Sequence, residues 1–116
     1  MAKASVPTAA SQSKDPADRP SHLPEWQFAA IAKALADPRR YGIMSEVASA
    51  SDALPCCALK AAGAVSAATI SHHIKSLEAA GLIEVARQGK FALLSFRRDT
   101  FEAYLRQLSD ALRPSA

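Results

Sequence analysis

The sequence has few cysteines and no long apolar run. Its two cysteines, Cys56 and Cys57, are adjacent, so they cannot build a disulfide framework, and they indicate a reducing compartment. No apolar stretch reaches the roughly 18 residues that a membrane-spanning helix needs, and residues 1–20 lack the apolar segment of a secretion signal. We therefore expect a cytoplasmic location and no membrane partner.

The residue arrangements of common enzyme classes are also missing. The sequence contains no Ser/His/Asp or Cys/His set with plausible spacing, no glycine-rich phosphate loop and no paired carboxylates in a pocket-forming context. We therefore predict a binding protein without catalytic activity, and the sequence assigns it no cofactor.

Size and composition favour one small domain that associates with a second copy. Hydrophobic residues make up 49% of the 116 residues, but 26 residues are alanine, so the core must be thin and association would stabilise it. The net charge of +3 and pI of about 9.1 are only mildly basic. A localised basic patch is therefore the form in which this charge would matter.

The chain divides into a tail and a helical domain. Residues 1–22 are rich in Ala, Ser and Pro without apolar periodicity, which predicts a disordered tail before a domain at 23–113. A first helix is expected over 24–36, with Phe28, Ile31 and Leu35 on one face. Asp37 and Pro38 then predict the cap and first residue of a second helix, whose buried residues are Ile43, Met44 and Val47.

A third, short helix is predicted from Pro55 to residue 62, ended by Gly63 in the left-handed conformation. Ser66 is expected to cap a fourth helix that Gly81 ends. The apolar face of this helix holds Ile70, Ile74 and Leu77.

Two runs at 82–86 and 91–96 flank a polar turn at 87–90 and predict a β-hairpin. Asp99 and Glu102 then have the spacing of a capping box at the start of a fifth helix.

This order of elements is that of a winged helix-turn-helix, a mainly α fold with a β-hairpin.

The exposed face of the fourth helix carries no acidic residue before Glu78, and the stretch 87–98 has four basic residues and no acidic one. Such a surface attracts nucleic acid. The residues of the fourth helix that can donate to phosphates or base edges are Ser66, Thr69, Ser71, His72, His73 and Lys75. We predict sequence-specific binding to double-stranded DNA. The alternative is a winged-helix protein-interaction module without DNA-binding activity.

Four segments together resemble the ArsR family of bacterial winged helix-turn-helix transcriptional regulators. They are 33–40 (KALADPRR), 66–77 (SAATISHHIKSL), 80–83 (AGLI) and 87–90 (RQGK). The resemblance covers residues 24–112 and implies a homodimer, joined by its first and fifth helices, that binds an operator and represses transcription until a signal releases it.

The resemblance also assigns residues by position. In the family, DNA is read by residues at the positions of Ser66, Ala67, Thr69, Ser71, His72 and His73, and the wing contacts the backbone at Arg87 and Lys90. Ala67 replaces the glutamine that is common there, which implies that one base contact is absent.

The sensing sites of the family are incomplete in this chain. Members that bind metalloids use a Cys-x-Cys pair, and here Cys57 falls on the second cysteine but Pro55 on the first. The last helix contains no histidine, which excludes the family's zinc or cobalt site there.

Cys56 and Cys57 remain a candidate sensor for a thiophilic metal, metalloid or oxidant, because a helix start after Pro55 would favour thiolates. The alternative is that one thiol packs in the core. The neighbouring His72 and His73 diverge on a helix and predict no metal site, so DNA contact or packing accounts for them better.

An apolar stripe on the last helix is the candidate dimer interface. Its residues are Phe101, Leu105, Leu108 and Leu112, with Tyr104 beside them. The stripe could instead close the core of a single chain, but the alanine-rich core favours an interface between chains.

Overall fold

The computed structural model describes residues 22–60 and 65–114. The described residues begin with two helices, α1 (Glu25–Leu35) and α2 (Pro38–Ser49), followed by a short strand, β1 (Leu54–Pro55), and a 3₁₀ turn (Cys56–Ala58). The second half contains α3 (Ala67–Ala79), the hairpin strands β2 (Ile83–Gln88) and β3 (Phe91–Phe96), and α4 (Arg98–Ala111). Residues 1–21 of the tail predicted at 1–22, and the predicted helix end at Gly63, lie outside the described residues.

Three local signals act as the sequence predicts. The Asp37 carboxylate accepts the amides of Arg39 (2.8 Å) and Arg40 (3.3 Å), and Pro38 is the first residue of α2. The Ser66 hydroxyl accepts the amide of Thr69 at 3.2 Å and caps α3. These side chains satisfy amide groups that have no partner within their own helix.

Gly81 follows α3 with φ +83°, a conformation that other residues rarely adopt. A Cβ atom at this position would also collide with the side chain of Gln27. That side chain donates from Nε2 to the carbonyl of Ala80 at 3.0 Å, so it holds α1 against the end of α3.

The sheet has three antiparallel strands in the order β1-β3-β2. Gln88 pairs with Phe91, so the turn contains only Gly89 and Lys90 and is two residues shorter than predicted. Gly89 has φ +62° and Lys90 has no positive φ, as in a type II′ turn. Arg87 therefore lies within β2, paired with Ala92 next to the turn.

Two predictions about where helices begin fail. Pro55 does not begin a helix, because Leu54 and Pro55 pair with Leu94 and Leu93 of β3. Proline is tolerated on such an edge strand. The residue that precedes α4 is Arg97, which makes no side-chain cap, so the predicted capping box does not form.

The buried side chains form one core between the helices and the sheet. Ile31, Ile43, Leu77, Leu82 and Leu94 have exposed fractions of 0%. The predicted core residues of the second and fourth helices are all buried: Ile43, Met44, Val47, Ile70, Ile74 and Leu77.

Tyr104 belongs to this core rather than to a dimer interface. Its side chain is 6% exposed in a single chain, and its ring centroid lies 4.9 Å from that of Phe28 on α1. The prediction that Tyr104 lies between two chains is therefore wrong, because the residue lies on the face of α4 that contacts α1.

Candidate nucleic-acid interface

The predicted DNA-reading residues of α3 occupy two different environments. Ser66, Ala67, Ser71, His72 and Lys75 are exposed. Thr69 is half-buried, and its hydroxyl lies 2.9 Å from that of Ser66 within the helix cap. The exposed residues form a continuous polar face on α3, in which Ala67 contributes a methyl group.

His73 is not on this face, and the prediction that it is exposed is wrong. Its side chain is 7% exposed, and its Nδ1 atom lies 3.3 Å from the Arg40 Nε atom, which donates to it. His73 follows Ile70 by three residues and precedes Leu77 by four, so helical periodicity puts it on the buried face. That spacing was the signal in the sequence that could have identified its position.

The basic residues of the hairpin differ in their availability. Arg87 and Lys90 are exposed. Arg97 is half-buried and pairs with Asp99 at 3.4 Å, and the Arg98 guanidinium lies 5.3 Å from the centre of the Phe96 ring. Burial raises the pKa of Asp99, but the hydrogen bond and charge of Arg97, together with the backbone amides of Thr100 and Asp99, hold the pKa below its usual value. Arg98 is exposed as well, so the available charge lies at the tip of the hairpin and at the start of α4.

The face of α3, the hairpin and the 3₁₀ turn enclose one open groove of about 420 Å³. Its floor includes Ile70, Ile74 and Val85, and its walls carry three cations and one carboxylate. The charged residues are Lys75, Arg87, Lys90 and Glu78. Phe91, whose side chain is 52% exposed, lines the same groove and was missed by the sequence prediction.

Both cysteines also line this groove. Cys56 is half-buried against the core, and Cys57 is exposed. They lie in a three-residue 3₁₀ turn, which lacks the aligned peptide groups of a long helix. The expectation that a helix start favours their thiolates is therefore wrong. Within the described residues, no group of three or more His, Cys, Asp and Glu side chains is arranged to hold a metal ion.

Exposed apolar side chains lie on the first and last helices. Trp26 on α1 is 64% exposed, Leu105 on α4 is 46% exposed, and Leu112 directly after α4 is 74% exposed. The other two residues of the predicted stripe, Phe101 and Leu108, are half-buried against the core. No helix in the described part of the chain has the length and apolar character needed to cross a membrane.

Comparison with known proteins agrees with this geometry. Residues 35–86 match a family described as a helix-turn-helix domain. No curated protein sequence matches the chain significantly.

Solved structures match a larger share of the chain than this family does. An ArsR-like transcriptional regulator from Rhodococcus sp. RHA1 is 24% identical with a TM-score of 0.64, over 74% of this chain and 79% of that one. NolR from Sinorhizobium fredii is 22% identical with a TM-score of 0.56, over 78% and 88%.

A third structure, from Mycobacterium bovis, is described as the homodimeric winged helix-turn-helix DNA-binding domain of a possible ArsR-family transcriptional regulator. It is 26% identical with a TM-score of 0.57, over 73% of this chain and 78% of that one. The described residues therefore form a winged helix-turn-helix domain that is similar to those of ArsR-like transcriptional regulators.

Proposed function

We propose that this protein is a sequence-specific regulator of transcription that inserts α3 into the DNA major groove and contacts the adjacent backbone with the hairpin. The observation that supports the proposal most is the groove that α3 and the hairpin share. The exposed face of α3 and the tip of the hairpin border the same cavity, with Lys75, Arg87 and Lys90 on its walls. A helix of this width fits the major groove, and cations beside it neutralise phosphates.

The side chains divide into two roles. Lys75, Arg87 and Lys90 supply charge for phosphate contacts, which set affinity and orientation. Ser71 and His72 are exposed on α3 and can reach base edges, while the methyl group of Ala67 suits the methyl group of thymine. The first acidic residue of α3 is Glu78, in the last turn of the helix, so the acid-free face extends over all the preceding turns.

We further propose that the protein acts as a homodimer through α1 and α4. Trp26, Leu105 and Leu112 leave large apolar areas exposed in a single chain, and burial between two copies would remove them from water. The Mycobacterium bovis protein with this fold is described as homodimeric. Two copies of α3 related by a twofold axis would read a palindromic operator, and such binding near a promoter would repress transcription.

The competing function is a protein-interaction module of the same fold. The exposed ring of Phe91 beside the apolar floor of the groove favours it. The acid-free face of α3 and the cationic hairpin tip favour DNA, because charged residues are depleted at the core of protein interfaces.

The experiment is fluorescence anisotropy with DNA from upstream of the protein's own gene, compared with a shuffled duplex of equal composition over a salt series. We expect tighter binding to the upstream DNA and a steep loss of affinity as salt rises. Equal affinity for both duplexes at moderate salt would contradict specific regulation. A reporter driven by the same upstream DNA would then distinguish repression from activation.

Release of the operator by a thiophilic metalloid or an oxidant is proposed at Cys56 and Cys57. Support comes from their position in the groove that α3 and the hairpin enclose. Arsenite would exchange two hydroxyl groups for the two sulfur atoms and release two waters, leaving its third position to another ligand. Peroxide would instead join the two sulfur atoms and be reduced to two waters. The arsenic atom would add bulk to the groove wall next to the DNA-reading face, and the disulfide would distort the 3₁₀ turn in that wall, so either product would favour the DNA-free state.

A further inference from the structure

We propose that His73 is a positioning residue: in its neutral form it holds α3 against α2 through Arg40, and its protonation weakens DNA binding. The inference rests on the proposed DNA-binding function and adds a control by pH. It concerns a buried side chain on the helix that carries the DNA-reading residues.

The geometry is a chain of polar contacts between the two helices. The Arg40 Nε atom donates to His73 Nδ1 at 3.3 Å, and Arg40 Nη2 lies 3.5 Å from the Asp37 Oδ2 atom. The other carboxylate oxygen of Asp37 accepts the first amides of α2. The N-terminus of α2 is thereby connected to the middle of α3, one residue away from the exposed His72.

The chemistry allows only one protonation state in this arrangement. A guanidinium group is always charged and can only donate, so the Nδ1 atom that faces it must carry no proton. The neutral ring therefore has its proton on Nε2. Histidine side chains commonly gain a second proton between about pH 8 and pH 5. With that proton, Nδ1 becomes a donor that faces the Arg40 donor, and the contact is lost.

The surroundings of the ring contain charges of both signs. On α2, Arg39 and Arg40 oppose a charge on His73, whereas Asp37 and Glu46 favour it. On α3, the His72 ring centroid lies 6.0 Å away. The group in hydrogen-bond contact is Arg40, so the local effect of protonation is repulsion. A cavity of about 180 Å³ beside the ring gives the displaced side chain space to move.

The expected change in DNA affinity on acidification is opposite to the change that charge attraction alone would produce. Protonation of an exposed histidine such as His72 adds positive charge near phosphates and should strengthen DNA binding. Protonation of His73 instead loosens α3 from α2 and misplaces the DNA-reading face. A fall in affinity on acidification is therefore the signature of the buried ring.

The test is anisotropy with the full chain and its upstream DNA from pH 8 to pH 5.5 at constant ionic strength. We expect the affinity to fall by about tenfold, the effect of losing one hydrogen bond to a charged group. His73→Asn places an oxygen where Nδ1 was and cannot titrate, so it should bind as the parent does at pH 8 and lose little affinity at pH 5.5. The matched control is His72→Asn, which should retain the acid loss. Acid loss that persists in His73→Asn, or none in the parent, would overturn the proposal.

A second measurement does not depend on DNA. Nitrogen-15 NMR of the free protein at pH 8 should show the proton of His73 on Nε2, and acidification should speed hydrogen exchange in α3 of the parent but not of His73→Asn. A proton on Nδ1 at pH 8, or equal exchange in both proteins, would refute the coupling itself. If this coupling is observed but no duplex binds, the proposed function fails and not the coupling.

Discussion

Gln107 holds the backbone of Leu23 through both ends of its side-chain amide. The Leu23 amide donates to Oε1 at 2.9 Å, and Nε2 donates to the Leu23 carbonyl at 3.3 Å. Leu23 is 1% exposed, so this pair fixes the start of the described domain on α4, 84 residues along the chain.

Replacing Gln107 by Ala should lower the free energy of unfolding by about 1–3 kcal/mol, because two hydrogen bonds to a buried segment are lost. Urea denaturation followed by circular dichroism measures this. The control is Gln88→Ala, which removes an exposed amide from the hairpin. An unchanged urea midpoint in Gln107→Ala would show that the pair adds no stability.

Leu105→Glu should convert the proposed dimer into a folded monomer. Leu105 is 46% exposed in one chain, so a charge there is tolerated in the monomer but would be buried without a partner in the interface. Sedimentation velocity should report half the mass, and operator affinity should fall because two linked half-site contacts become one.

The matched control for this change is Arg106→Gln, which alters the net charge by the same amount on the exposed side of α4. It should remain dimeric. A fully dimeric Leu105→Glu would move the interface away from this face.

His72→Ala and Lys90→Ala should affect DNA binding in different ways. Loss of a base contact at His72 should reduce discrimination between operator and shuffled DNA by about 1–3 kcal/mol. Loss of a phosphate contact at Lys90 should weaken binding to both duplexes and lower the salt slope by about one per subunit. The reverse pattern in anisotropy titrations would put the base-reading surface on the hairpin.

Asp37→Asn should make stability less sensitive to acid. The amides of Arg39 and Arg40 hold the pKa of Asp37 below its usual value. A carboxylate with a depressed pKa stabilises the fold above its unfolded-state pKa, and this stability is lost as the pH falls below about 4. Asparagine still caps α2 but does not titrate.

Urea midpoints at pH 7 and pH 3 measure this difference. The drop between them should be smaller in Asp37→Asn than in the parent, and the exposed Asp52→Asn is the control. An identical drop in Asp37→Asn and the parent would mean that the cap does not contribute to acid sensitivity.

The double variant Cys56→Ser, Cys57→Ser should bind the operator as the parent does but resist release by arsenite or peroxide. Serine preserves size and removes the sulfur chemistry. Anisotropy of preformed complexes with added reagent tests this, and each single variant shows whether both thiols are required. Equal release of parent and double variant, or no release of either, would make the cysteines structural.

The order of helices and the hairpin could be read from the sequence because their signals are local. Asp37 and Ser66 cap the helices that follow them, and Gly81 ends α3, through contacts within a few residues. The apolar residues of α2 and α3 recur at helical spacing and are buried as expected. These signals, with the acid-free face of α3, predicted the winged helix-turn-helix by themselves.

The environment of single side chains was decided by contacts between distant segments. Pro55 became part of a strand because β3, much later in the chain, pairs with it. Tyr104 became a core residue because Phe28 of α1 packs on its ring. Helical spacing alone puts His73 on the buried face, but only the packing of α2 against α3 makes Arg40 its partner. Neither contact leaves a trace in local spacing that identifies its partner, because it depends on how the helices pack in three dimensions.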